Sequence, residues 1–280
     1  MRRDCSTRWA AHGRCSPSTR CSPAREIFND VDLHGAVADQ ERLIAACDEV
    51  ALVSHAERSR YRALGYERLN ACVSVVHNGI ATPDGTVRRR RRRGVLGYCG
   101  RLVPRKHPEY VQMLLLEPEF EGYEAMIAGK AFSRYARDLV ARLGIEQRVS
   151  YLGWCGGARL DAFFDAIDVL VQPSTYEPFG LAVLEAAARG IPVVCGEIDG
   201  LVEVLGEHAF YCDGTRYESF RDAMRRWLQA DADRIDTMTE GARQRALERF
   251  TDVAMARRYV ARFATLAGPV AAAGAHDTPE

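Results

Sequence analysis

From residue 94 onward, short apolar runs alternate with segments whose apolar residues recur every three or four positions. The runs predict strands at 94–99, 123–127, 148–152, 167–172, 192–195 and 209–212. The periodic segments between and after them predict helices at 107–116, 133–143, 158–166, 181–189, 201–205, 217–228 and 235–250. Upstream, helices are expected at 33–46 and 56–64 and strands at 49–54 and 71–76. Gly65, the triplet His77-Asn78-Gly79, Gly144 and Gly190 supply stop and turn signals at the right places. Strict alternation of this kind implies an α/β fold with a parallel sheet covered on both faces. Such sheets take ligands outside the carboxyl ends of their strands.

One strand end is richer in chemistry than the rest. The apolar run Ile167 to Gln172 is followed by Pro173-Ser174-Thr175-Tyr176-Glu177-Pro178-Phe179-Gly180 and then by Leu181 to Arg189. A strand ends, a loop presents Glu177, and a helix is expected to start within about one residue of Phe179, with Pro178 in its first turn. The free N–H groups of that start form an anion site. Glu185 lies eight residues after Glu177 and about two turns into the helix. An acid on each side of a phosphate-binding helix start suits a ligand with a phosphate centre and hydroxyls at both ends, as in a nucleotide-sugar. Gly180 lets such a ligand approach the backbone closely.

A second strand end carries Gly100-Arg101-Leu102-Val103-Pro104-Arg105-Lys106-His107. Arg101 and Lys106 on this loop are placed to neutralise a diphosphate. Gly129 follows another strand, and Ile198-Asp199-Gly200 opens a further loop-to-helix junction. No G-x-G-x-x-G, P-loop, H-E-x-x-H or G-x-S-x-G motif is present.

Composition narrows the class. The 280 residues carry a formal net charge of zero, which argues against a general polyanion binder. The arginine run Arg88–Arg93 reads first as a solvated linker, with a peripheral contact to an acidic membrane surface as the alternative and nucleic acid disfavoured. No apolar run is long enough to span a membrane. The nine cysteines form no C-x-x-C pair and read as reduced thiols of a cytoplasmic protein.

With these motifs in family order, the chain resembles the retaining glycosyltransferases of family 4, which have the GT-B fold. The resemblance rests on Val53-Ser54, His77-Asn78-Gly79, Gly100-Arg101-Leu102 with Lys106, Arg148-Val149 through Leu152-Gly153, and the block from Pro173 to Val194. It implies a GT-B-like α/β architecture. A complete C-terminal Rossmann-like parallel-sheet domain would follow the remnant of an N-terminal α/β acceptor domain.

The resemblance also implies roles. Arg101 and Lys106 would hold the donor diphosphate and steady the leaving group, and Glu177 would hold the donor sugar. The N–H groups of Phe179, Gly180 and Leu181 would face the phosphates, and Glu185 the ribose. Gly129 and Leu152 would line the nucleotide side. Neither metal nor cofactor would be needed; the donor would be a UDP- or GDP-sugar and the acceptor a glycan or a lipid or lipid-linked molecule, as in polysaccharide biosynthesis in the cytoplasm or at the inner face of a membrane.

The expected organisation is a disordered leader at 1–25, the acceptor-domain remnant at 26–87 and the linker at 88–93. A nucleotide-sugar domain follows at 94–265 and a disordered tail at 266–280. Because fewer than a hundred residues precede the linker, a non-catalytic nucleotide-sugar-binding fragment is the alternative to an active transferase. Asp199 stands where the family has a glycine, and an acid there would repel a diphosphate unless it points away.

Overall fold

The computed structural model describes residues 33–83, 94–130 and 144–267. The expected leader, the linker at 88–93, the helix at 133–143 and residues 268–280 of the tail lie outside the described residues.

The larger unit is a six-stranded, all-parallel sheet. Its strands are β3 (Val95–Cys99), β4 (Glu124–Ala128), β5 (Val149–Gly153), β6 (Val169–Gln172), β7 (Val193–Gly196) and β8 (Phe210–Cys212), in spatial order β5-β4-β3-β6-β7-β8. Alternate residues of one strand serve opposite faces. In β6, Val169 and Val171 join one core with Leu96, Tyr98, Phe220 and Trp227. Leu170 joins the other core, with Phe163, Phe164, Val183 and Leu184. With both faces covered, a strand such as β6 is apolar without interruption, which is why the sequence shows short solid runs instead of alternation.

The helices are α3 (Pro108–Leu114), α4 (Ala158–Ala166), α5 (Leu181–Ala188), α6 (Asp199–Leu205), α7 (Tyr217–Gln229) and α8 (Ala232–Arg249). Ahead of them, α1 (Leu33–Ala46), β1 (Val50–Leu52), α2 (His55–Ala63) and β2 (Val73–Val75) form a small parallel unit around Ile44, Leu52, Tyr61 and Tyr66.

The sequence reading carries one helix to residue 250 and identifies none after it. The structure ends α8 at Arg249 and starts a separate helix, α9 (Asp252–Ala267). This helix crosses to the small unit. Ile80 bridges Thr251, and Arg262 pairs with Glu49 through two hydrogen bonds of 2.9 and 2.7 Å. Gly79 is needed there, because a Cβ would lie 2.2 Å from the Thr251 carbonyl oxygen.

Candidate active site

The strand order places the switch point between β3 and β6. From β3 the chain moves outward to β4 and β5, then returns to β6 and runs the other way. Loops leaving two such strands diverge and open a crevice at their carboxyl ends. The two loops are Gly100 to His107 and Pro173 to Gly180, the two strings that carry the expected chemistry.

The structure brings Lys106 and Glu177 together. The Lys106 Nζ donates to Glu177 Oε2 at 2.6 Å, with the side chains only 12% and 15% exposed. Backbone contacts fix the loops against each other: Thr175 N–H and Oγ1 both donate to the Arg105 carbonyl, at 2.9 and 3.1 Å. Arg101 is exposed on the same loop, and its carbonyl accepts from the buried Tyr98 hydroxyl at 3.0 Å. After Lys106 the chain turns back through His107, which has a φ of 44° and is the only non-glycine residue with positive φ among the described residues. Its ring stacks on Tyr110 and bonds Glu109, contacts that hold the unfavourable conformation.

Glu185 is half-buried on α5. Burial raises its carboxyl above the usual range; Arg189 opposes this and Asp161 adds to it. Cys99, at the end of β3, is pushed up to about 12 by burial and then by Glu185, with Lys106 pulling the other way. One thiol therefore senses both groups, and that thiol is too weakly acidic to act as a nucleophile.

The start of α5 differs in detail from expectation. The helix begins at Leu181, and Gly180 caps it in the left-handed conformation with φ 94°. Pro178 therefore lies in the loop ahead of the helix, not in its first turn. The Phe179 side chain is buried against His77 and Phe250, so the backbone of Phe179 is what it can offer a ligand. Leu181 is exposed at the helix start. Gly129 is forced by close approach: a Cβ would stand 1.7 Å from the Gly100 carbonyl oxygen. Leu152 lies partly buried near the end of β5, at the sheet edge. Asp199 is exposed in the first turn of α6, where an acid suits the helix dipole. Its neighbour Gly200 packs so closely that a Cβ would lie 2.2 Å from the Glu177 carbonyl oxygen.

The small unit grips the same loop. Ser54, fully buried, caps α2 by accepting from the Glu57 N–H at 3.0 Å and donates to the Pro178 carbonyl at 2.7 Å. Glu203 on α6 accepts from the N–H groups of His55 and Ala56 at 2.9 and 3.1 Å, and bonds His77. Burial pushes the Glu203 carboxyl up, but the bonds from His77, His55 and Ala56 outweigh it and hold the pKa below the usual value. His55, His77 and Glu203 form the only group among the described residues close enough to share a metal ion. Both carboxylate oxygens are already engaged by protein donors.

Sequence reasoning passed over Tyr176, whose hydroxyl donates to Glu57 of α2 at 2.9 Å. It also gave no role to Glu203, whose partners lie 126 to 148 residues away. Neither residue type carries a local signal for such pairing.

Comparison with known proteins identifies the family and the fold. The family profile of glycosyl transferases group 1 matches residues 86–245. An uncharacterized glycosyltransferase of Methanocaldococcus jannaschii is 38% identical over 39% of this chain and 28% of its own length. A D-inositol 3-phosphate glycosyltransferase of Stackebrandtia nassauensis is 30% identical over 77% of this chain and 53% of its own. The chain thus spans about half, or less, of the length of these curated relatives. Among solved structures, the sucrose-phosphate synthase of Thermosynechococcus elongatus superposes with a TM-score of 0.73 at 20% identity, covering 90% of this chain and 65% of that one. HepE of Anabaena, solved in complex with UDP-glucose, gives a TM-score of 0.67 at 20% identity over 81% of this chain and 67% of its own. At these identities the structural matches establish the GT-B fold.

Proposed function

The chain belongs to the glycosyl transferases group 1 family, and from that premise we propose that it moves a sugar from a UDP- or GDP-sugar to a hydroxyl of a glycan or lipid acceptor, with retained anomeric configuration. The observation that carries this reading is the Lys106–Glu177 pair, 2.6 Å apart at the switch point, with Arg101 on the same loop.

The chemistry follows from charge. As the bond from the anomeric carbon to the diphosphate breaks, negative charge grows on the leaving oxygen. In this reading Lys106 and Arg101 stabilise that charge more in the transition state than in the ground state. The backbone N–H groups at Phe179, Gly180 and Leu181 add the positive end of α5. Two cations and a helix start supply the countercharge for a diphosphate, so the reaction proceeds without a metal. Glu177 holds donor-sugar hydroxyls while also orienting Lys106, and Glu185 takes the ribose hydroxyls. Residues 94–265 act as the donor domain and residues 26–87 lie on the acceptor side. The UDP and UDP-glucose complexes of HepE support a uridine donor.

The test is incubation of the full chain with UDP-glucose or GDP-mannose and a panel of glycan and lipid acceptors, with product anomers read by NMR. Transfer with retention that survives EDTA is expected, and Glu177→Ala should lower turnover by ~10²-fold or more. Inverted product, or activity abolished by chelation, would overturn the mechanism. A second reading is a non-catalytic one. It holds that the chain binds nucleotide-sugar without transferring it, and nucleotide binding without turnover over the whole panel would select it.

A further inference from the structure

Two guanidinium groups lie over the Tyr176 ring. Arg60 of α2 places Cζ 4.8 Å from the ring centroid, and Arg105 of the Gly100–His107 loop places Cζ at 5.5 Å. Each is a favourable contact with the ring, yet the two charges repel each other. Among the described residues, the Nε atoms of both arginines are buried without a hydrogen-bond partner, and neither arginine has an ion pair. Burial, then the positive charge of Arg101, pull Arg105 below the ordinary guanidinium range; Glu177 and Tyr176 oppose this, and Arg60 adds a smaller downward pull. Buried guanidinium nitrogens without acceptors cost free energy. A bound anion would remove both the repulsion and the missing hydrogen bonds.

The location defines the ligand. Tyr176 immediately precedes Glu177, and Arg105 immediately precedes Lys106, so the pair adjoins the donor-sugar and diphosphate groups. Arg60 comes from the opposite, small unit, which places the pair across the crevice on the acceptor side. The donor's own phosphates are already assigned to Arg101 and Lys106, so this is a second anion. Two guanidinium forks match a dianion with three terminal oxygens better than a single carboxylate.

We propose that Arg60, Arg105 and Tyr176 form an acceptor subsite for a phosphate monoester carried by the molecule that receives the sugar. This rests on the donor-site reading above. Tyr176 is the platform against which both guanidinium groups rest, and its hydroxyl bond to Glu57 locks that platform to α2.

The test uses the full chain saturated with UDP, so that the diphosphate site is filled, and follows binding of sn-glycerol 3-phosphate by calorimetry. The wild type should bind it, and Arg60→Ala and Arg105→Ala should each weaken it tenfold or more, as for loss of a hydrogen bond between charged groups. Arg60→Lys, which keeps the charge and loses the fork, should fall between, and it guards against a folding defect in the alanine variant. D-glucuronate should bind more weakly than glycerol phosphate. Vesicles of phosphatidic acid in phosphatidylcholine distinguish a lipid-borne phosphate from a soluble one, and tighter capture of either supports the subsite. Absence of glycerol phosphate binding, equal binding by all variants, or a preference for glucuronate would each overturn it. Failure of wild type to bind UDP at all would instead overturn the donor-site reading.

Discussion

Replacing Ser54 by alanine removes two hydrogen bonds from one buried atom. The hydroxyl caps α2 through the Glu57 N–H and binds the Pro178 carbonyl, next to Glu177. Loss of the cap costs about 1 kcal/mol. The Pro178 carbonyl would then lose its donor in a part-buried setting, for about 1–2 kcal/mol more. The total is about 2–3 kcal/mol, or a fall in Tm of roughly 4–12 °C for a unit of this size. Ser54→Gly separates the terms: glycine restores most of a cap, to within a few tenths of a kcal/mol, but nothing restores the bond to Pro178. Urea unfolding followed by circular dichroism should therefore order the proteins wild type, glycine, alanine in falling stability. UDP affinity should fall in both variants, because the Pro178 carbonyl belongs to the loop that presents Glu177. A Ser54→Ala protein within 0.5 kcal/mol of wild type would refute the view that this residue fastens the small unit to the donor loop.

Three further expectations follow from contacts and burial. Gly129→Ala should destabilise the protein by about 3 kcal/mol, since its Cβ would meet the Gly100 carbonyl oxygen at 1.7 Å; an unchanged Tm in thermal scans would contradict this. Glu185 has a carboxyl raised by burial, so the stability it contributes is present below the unfolded value near 4.5 and is lost as pH rises through its folded pKa. Glu185→Gln should accordingly raise the Tm of the ligand-free protein above neutral pH while weakening UDP binding, and a variant that does neither removes Glu185 from the site. Glu203 is the opposite case, with a folded pKa below 4.5. Its stabilisation is complete above pH 4.5 and fades as pH falls through the depressed value, so the stability gap between wild type and Glu203→Gln should narrow on acidification below about 4.5; a gap independent of pH would show that the bonds from His77, His55 and Ala56 do not favour the charged carboxylate.

Much of the fold was legible because the larger unit buries both faces of a parallel sheet. Runs such as Ile167 to Gln172 can hardly be anything but strands when Gly and Pro bound them and periodic segments separate them. Two features were not. The helix break at residue 250 escaped because Phe250 is apolar and the flanking segments keep helical periodicity; only the bridge of Ile80 to Thr251 makes a stop there necessary. The start of α5 was placed early because Pro178 suits a first turn, whereas Gly180 in the left-handed conformation takes the cap. In the site, Arg101, Lys106, Glu177 and Glu185 were visible as charges at strand ends. Their pairing was not, since Lys106 and Glu177 lie 71 residues apart and meet only through the β3–β6 adjacency. Arg60 and Tyr176 were invisible for the same reason: a surface-type arginine on a helix gains meaning only from the unit it faces.

The central claim is that the loops after β3 and β6 hold a nucleoside diphosphate between Lys106, Arg101 and the start of α5. Calorimetric titration of the wild-type chain with UDP, repeated with Lys106→Ala and Arg101→Ala, tests it most directly. Saturable binding by the wild type, weakened ~10²-fold in Lys106→Ala and clearly weakened in Arg101→Ala, is the predicted result. Equal UDP affinity in all three proteins would contradict it.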